Sequence, residues 1–205
     1  MSVKGKRVLI TGSSHGIGAA TAIAFAKEGC SIGLNYNRNP EGAEATAAKI
    51  RELGAPVEIY KADVALSEDC EAMVNAFIQR FGGIDVLVNN AGGALKIPRG
   101  EFIDMPVEYW NDQINLNLNA AAYTSRIAVR NMIENKVRGK IINVSSIHSL
   151  VTWVKRKMLP YCAGKAGLNM FTKALACEVA KYGINVNCIA PGFIMTKLSA
   201  RYSET

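Results

Sequence analysis

The run RVLITGSSHGIGAATAIAFAKEG, residues 7–29, limits the possible folds more than any other part of the chain. Positions 7–11 (RVLIT) have the apolar, β-branched character of a short buried strand. Glycines follow at 12, 16 and 18, and then an alanine-rich stretch with helical composition over 16–28. A strand that enters a helix through a glycine-rich turn is the opening of a βαβ unit. In such a turn Gly12 allows a sharp exit from the strand, Gly16 lets backbone approach a pyrophosphate, and Gly18 lets helix and sheet pack closely. The helix N-terminus then offers N–H groups and partial positive charge to an anion, with Ser14, His15 and Ile17 alongside. The spacing is GxxxGxG rather than the common GxGxxG. A tight connection without a ligand could use the same glycines. The position directly after the first strand favours the ligand-binding reading.

Further short apolar runs recur at 31–36, 57–62, 85–90, 140–145 and 184–190. Helical periodicity separates them at 41–53, 68–81, 107–135 and 161–182. Alternating strands and helices predict a parallel sheet, and right-handed crossovers place helices on both faces. The fold class is therefore α/β, a Rossmann-like doubly wound parallel sheet. The chain has 205 residues with no linker-like tract, so one domain over 1–205 is expected.

Five cysteines, odd in number and scattered without a CxxC, argue against a disulfide framework or a zinc site. The two histidines, His15 and His148, are far apart, so no metal site is expected. Reduced thiols and the lack of a membrane-length apolar run predict a cytoplasmic protein with no membrane partner. The net charge of +7 is spread along the chain. That pattern gives no nucleic-acid signature and leaves a solvated basic surface, or an anionic substrate, as its meaning.

The end of the second strand bears on the choice of dinucleotide. An acidic residue there grips the ribose 2′-OH of NAD, and a basic one suits the 2′-phosphate of NADP. The sequence reads GLNYNRNPEG, giving Tyr36, Asn37 and then Arg38, with no acid before Glu41. NADP(H) is favoured, with NAD(H) as the alternative. Farther on, PYCAGKAG places Tyr161 and Lys165 four positions apart, about one helical turn. A nearby cation favours the phenolate over a phenol that ordinarily titrates near pH ~10.

Taken in order, TGSSHGIG (11–18), NNAG (89–92), NVSS (143–146), YCAGK (161–165) and PGFIMT (191–196) resemble the motifs of the short-chain dehydrogenases/reductases. The resemblance covers nearly the whole chain. It implies an oxidoreductase that moves hydride between NADP(H) and a carbonyl or secondary alcohol. Tyr161 is then the acid/base, and Lys165 lowers its pKa and bonds the nicotinamide ribose. Ser146 holds the substrate oxygen, and Asn117, seven residues after Trp110, supports a water relay. Asn115 and Asn119 are close competitors for that last role. The resemblance further implies that Asp63 and Val64 meet the adenine. Asn90, Ala91 and Gly92 line the ribose and pyrophosphate. Pro191, Gly192, Ile194 and Thr196 hold the nicotinamide end. Hydride addition to a carbonyl builds negative charge on oxygen, which a hydroxyl and a phenol can meet.

Two departures qualify the resemblance. Fifteen positions separate Ser146 from Tyr161, more than the family commonly shows, so Ser145 and Ser149 stay as fallbacks. The intervening loop carries Lys155, Arg156 and Lys157, which could recruit an anionic substrate or carrier. Only KLSARYSET follows Thr196, where the family usually adds a substrate lid and a seventh strand, so a missing tail is expected. For the substrate, similarity to the 3-oxoacyl-carrier-protein reductase branch suggests a 3-oxoacyl thioester, free or carrier-bound. Similarity to the glucose dehydrogenase branch suggests a sugar. A nucleotide-binding protein without turnover is the non-enzymatic alternative. The resemblance also implies a homodimer or homotetramer built through 107–135 and 161–182.

Overall fold

The computed structural model describes residues 2–94, 101–151 and 158–196. Six strands form one sheet: β1 (Arg7–Ile10), β2 (Ser31–Tyr36), β3 (Val57–Lys61), β4 (Val86–Asn89), β5 (Lys140–Val144) and β6 (Asn185–Ile189). Their spatial order is β3-β2-β1-β4-β5-β6, and every pair is parallel. The order reverses at β1, between β2 and β4. Ligands of open parallel sheets bind at such a reversal, beyond the carboxyl ends of the strands.

The helices are α1 (Gly16–Lys27), α2 (Pro40–Glu52), α3 (Ser67–Phe81), α4 (Val107–Ile114), α5 (Ala120–Glu134) and α6 (Leu159–Val179). Strand alternation sorts them onto two faces. Val8 and Ile10 of β1 join Ala22, Ala26, Ala47 and Ile50 from α1 and α2. Leu9 faces the other way, with Phe77 of α3 and Ala128 and Met132 of α5, against which α6 also packs through Val179. The buried residues of α1 are Gly18, Ala22 and Ala26, so small side chains bring this helix close to the sheet.

The helical stretch expected over 107–135 is not one regular helix. Between α4 and α5 lies a π-helical turn, Asn115–Asn119. An extra residue in a turn widens the helix locally and re-aims its side chains, as functional sites often require. The expected helix over 161–182 instead begins at Leu159, with Pro160 in its first turn, and closes through a 3-10 turn at Ala180–Tyr182. Pro160 suits that place because an opening turn needs no N–H donor there.

Gly33 shows how tightly the α3 face is built. A Cβ on it would lie 2.5 Å from Phe77 Cδ2 and 2.8 Å from Leu9 Cδ1. Gly33→Ala should lower unfolding stability by about 1–3 kcal/mol in urea titration, since overpacked cores strain by that order. Adding Phe77→Leu should recover part of that loss, because it withdraws the atoms the new methyl meets.

Candidate active site

The glycine turn is held from both sides by asparagines. Asn35, buried in β2, accepts from Gly12 N through Oδ1 (3.0 Å), and its Nδ2 donates to Ala62 O (3.1 Å). From β4's end, Asn90 Nδ2 donates to Thr11 O (2.9 Å) and Gly12 O (3.0 Å). Thr11 Oγ1 in turn accepts from Asn90 N and Ala91 N, each at 3.0 Å. Ser13 completes the weave by donating to Ile10 O (2.9 Å) and accepting from Asn35 N (2.9 Å). The turn is therefore rigid by its own bonds.

Its glycines do separate work. Gly12 and Gly16 have φ of +61° and +59°, a region that L side chains resist. A Cβ on Gly12 would also sit 2.8 Å from Ala91 Cα. On Gly18 it would fall 2.5 Å from Asn90 Nδ2 and 2.6 Å from Gly12 O. So Gly18 makes room for the Asn90 clamp as well as for helix packing. His15 stands at the N-cap of α1 without a side-chain cap, and the first turn carries no acid. That turn is suited to a phosphate.

Arg38 is exposed just after β2. Asn39 next to it caps α2 by accepting from Gly42 N (3.1 Å). A Cβ on Gly42 would lie 2.6 Å from Ser14 O, so α2 begins against the glycine turn. On the turn itself, the exposed His15 has its Nδ1 3.1 Å from Ser14 Oγ. Among the described residues no carboxylate pairs with Arg38. Asp63, half-buried after β3, accepts from Ala65 N (3.1 Å), while Val64 is buried. The two form the wall beyond β3.

The carboxyl end of β5 assembles the reactive groups. Three serines were open from sequence, and their bonds separate them. Ser145 Oγ donates to Lys165 O (3.1 Å). Ser149 Oγ donates to Ser146 O (2.6 Å) and accepts from Asn169 Nδ2 (2.7 Å). Ser146 Oγ accepts from His148 N (3.2 Å), and of the three serines it is the one that pulls on the Tyr161 phenol. The asparagines separate likewise. Asn119 Nδ2 donates to Asn115 Oδ1 (2.8 Å), so those two satisfy one another. Asn117 brackets Gly93, donating to its O (3.1 Å) and accepting from its N (2.9 Å).

Lys165 is 3% exposed, and its Nζ donates to Val144 O (2.8 Å). Gly92 leaves room for this head: a Cβ there would lie 2.8 Å from Lys165 Nζ and 3.0 Å from Asn117 Oδ1 and would displace them. Burial pushes the Lys165 ammonium down to about 8. Tyr161 departs from the sequence expectation. Burial raises its phenol above the ordinary value, and the hydrogen bond with Ser146 works against that rise. The Lys165 Nζ is 5.9 Å from the Tyr161 ring centre and bonds the Val144 carbonyl.

Other groups escaped the sequence reading. The His148 ring meets Tyr161 edge-on, with centroids 6.3 Å apart. Asn35, Asn89 and Asn143 are buried polar groups in otherwise apolar strands, and that misfit was the available signal. Pro191 O accepts from Ile147 N (2.9 Å), which ties the PG segment to the serine turn. Gly192, Ile194 and Thr196 follow it, and Thr196 Cγ2 would lie 3.6 Å from a Cβ on Gly16. Tyr36 is half-buried and Asn37 exposed. Lys155, Arg156 and Lys157 lie outside the described residues.

No described helix is long and apolar enough to cross a membrane. Among the described residues no group of three or more His, Cys, Asp or Glu side chains is placed to hold a metal.

The lowered value of Lys165 carries a sign for stability. The unfolded lysine keeps its proton to about pH 10.4, while the folded one releases it near 8. Between these values the unfolded chain binds more protons, so stability rises with pH there and is lost as pH falls to 8. Lys165→Met should therefore stabilise the fold at pH 7 by up to about 3 kcal/mol. The gain in melting temperature should shrink toward pH 10.5.

A family model described as short chain dehydrogenase matches residues 6–205. The chain is 40% identical over 198 residues to 3beta-hydroxysteroid dehydrogenase 1 of Eggerthella lenta, covering 97% of this chain and 74% of that protein. It is 35% identical over 195 residues to glucose 1-dehydrogenase 2 of Bacillus subtilis, covering 94% and 73%. Among solved structures, a Burkholderia cenocepacia short chain dehydrogenase in complex with NADP superposes with a TM-score of 0.88 at 32% identity. It covers 97% of this chain and 78% of that one. The acetoin dehydrogenase of Salmonella typhimurium gives 0.87 at 36%, covering 95% and 75%. With the sheet order, the glycine turn and the matched model in agreement, this chain belongs to the short-chain dehydrogenase/reductase family of oxidoreductases.

Proposed function

We propose that the protein interconverts a carbonyl and a secondary alcohol with NADP(H), and that Tyr161, Ser146, Lys165 and Asn117 carry the work. The observation that carries this reading is the buried Lys165, its head on the Val144 carbonyl beside Gly92 and Asn117 and 5.9 Å from the Tyr161 ring centre. The residues present fit the dinucleotide. The α1 turn suits its pyrophosphate, Arg38 and His15 suit a 2′-phosphate, and Gly92 keeps the Lys165 head clear of side chains. Asp63 and Val64 border the adenine end, and Pro191–Thr196 the nicotinamide end. Bound cofactor supplies or accepts the hydride.

In the reducing direction Tyr161, kept as a phenol by burial, gives its proton to the substrate oxygen. Ser146 donates to the same oxygen and so meets the charge that develops there. Lys165 holds the nicotinamide ribose through its ammonium, and Asn117 fixes Gly93 and the floor beside it. Among substrates, the 3-oxoacyl thioester and the sugar divide on polarity. Exposed Ile147, Leu150 and Val151 lie within five residues after Ser146, with Leu150 76% exposed. They favour a substrate with an apolar body, such as an acyl chain or the hydroxysteroid of the Eggerthella relative, over a polyol.

A screen of ketones, acyl thioesters, hydroxysteroids and sugars with NADPH and NADH tests the assignment. Tyr161→Phe should cut kcat by a factor of about 100 or more while NADPH still binds. Near-normal turnover in that variant would remove Tyr161 from the role. Arg38→Asp should weaken NADPH about tenfold and leave NADH little changed, read by cofactor fluorescence.

A further inference from the structure

Four buried side chains cross the sheet in a line at its carboxyl end. Thr124 of α5 donates to Asn89 Oδ1 (2.7 Å), and Asn89 Nδ2 donates to Asn143 Oδ1 (2.8 Å). Asn143 Nδ2 then donates to Thr172 Oγ1 of α6 (2.9 Å), whose hydroxyl donates to Leu168 O (2.7 Å). Each member is at most 5% exposed. With Asn89 held as it stands, flipping the Asn143 amide alone would set two NH2 groups against each other, so the two amides are locked to one another.

The ends of this line are placed with a purpose. Thr172 follows Lys165 by seven residues, about two helical turns, so both sit on one face of α6. Thr124 stands in the first turns of α5, directly after the π-turn that holds Asn117. Three successive residues of the β5 end also grip α6. The Asn143 side chain takes Thr172, the Val144 carbonyl takes Lys165 Nζ, and the Ser145 hydroxyl takes Lys165 O. The helix that bears the lysine is thus fixed in height and rotation against the sheet, and the same line reaches the helix that follows Asn117.

We propose that Asn143 and Thr172, coupled through Asn89 to Thr124, are positioning residues that set where Lys165 stands relative to Asn117. They thereby prepare the place for the nicotinamide ribose. The ribose clause rests on the function proposed above; the placement of Lys165 does not.

The test uses the full chain with 13C-labelled lysine and three readouts: melting temperature, the Lys165 side-chain NMR resonance, and NADPH affinity by fluorescence. Thr172→Val removes the hydroxyl at nearly constant volume, and Thr172→Ser restores it. Thr172→Val should shift the Lys165 resonance and raise the NADPH Kd about tenfold, and Thr172→Ser should return both to near wild type. A variant that melts earlier yet keeps the wild-type resonance and Kd would show the line to be stabilising only and overturn the proposal. Should Thr172→Val fail to fold, Thr124→Val probes the same line from α5 with the same readouts. If wild-type protein binds no NADPH, the functional reading fails, and the Lys165 resonance still decides the placement.

Discussion

A cation buried at the end of a parallel strand is the constraint around which the site is arranged. Lys165 sits out of water with its head on the Val144 carbonyl. Removing an ammonium from water is costly, and one carbonyl offsets only part of that cost. The result is a lysine whose affinity for its proton is weakened. A side chain at Gly92 would have to displace that head. Asn117 sits at the same point, carried there by the π-turn that interrupts α4 and α5. A fold optimised for stability alone would place a neutral residue here. Retaining the charge is the kind of local sacrifice that functional sites show.

Asparagine is the second recurring device. Asn35, Asn89, Asn90 and Asn143 all stand at or near the carboxyl ends of strands. Each offers a donor pair and an acceptor, so one side chain can tie two neighbouring segments. Asn35 and Asn90 stiffen the glycine turn from β2 and β4. Asn89 and Asn143 join β4 to β5 and extend to both central helices. Buried amides of this kind are satisfied only when every partner is in register, which rewards a single arrangement of strands and helices.

Much of this was legible in the sequence. The alternation of apolar runs and helical stretches gave the doubly wound sheet, because each strand buried on both faces must be apolar throughout. The glycines at 12, 16 and 18 announced the turn, since positive φ and close approach leave few other residues acceptable. The choice among Ser145, Ser146 and Ser149 was not legible. It depends on which hydroxyl the backbone of the short turn after β5 aims at Tyr161, and spacing does not report aim. Nor was the π-turn, as it preserves the composition of an ordinary helix. The raised phenol of Tyr161 was missed for a similar reason. A lysine one turn away is a sequence fact, but where its head points is a packing outcome.

On the proposed function, the glycine turn and the buried Lys165 are two ends of one dinucleotide site. A crystal structure of the complex with NADP+ tests it most directly. The predicted result has the pyrophosphate on the α1 N-terminus, with Asn90 still bonded to Thr11 and Gly12. The nicotinamide ribose then lies within hydrogen-bonding distance of Lys165 Nζ, and the nicotinamide ring is beside Tyr161 and Ser146. A dinucleotide seated away from the turn, or a ribose that leaves Lys165 untouched, would contradict it.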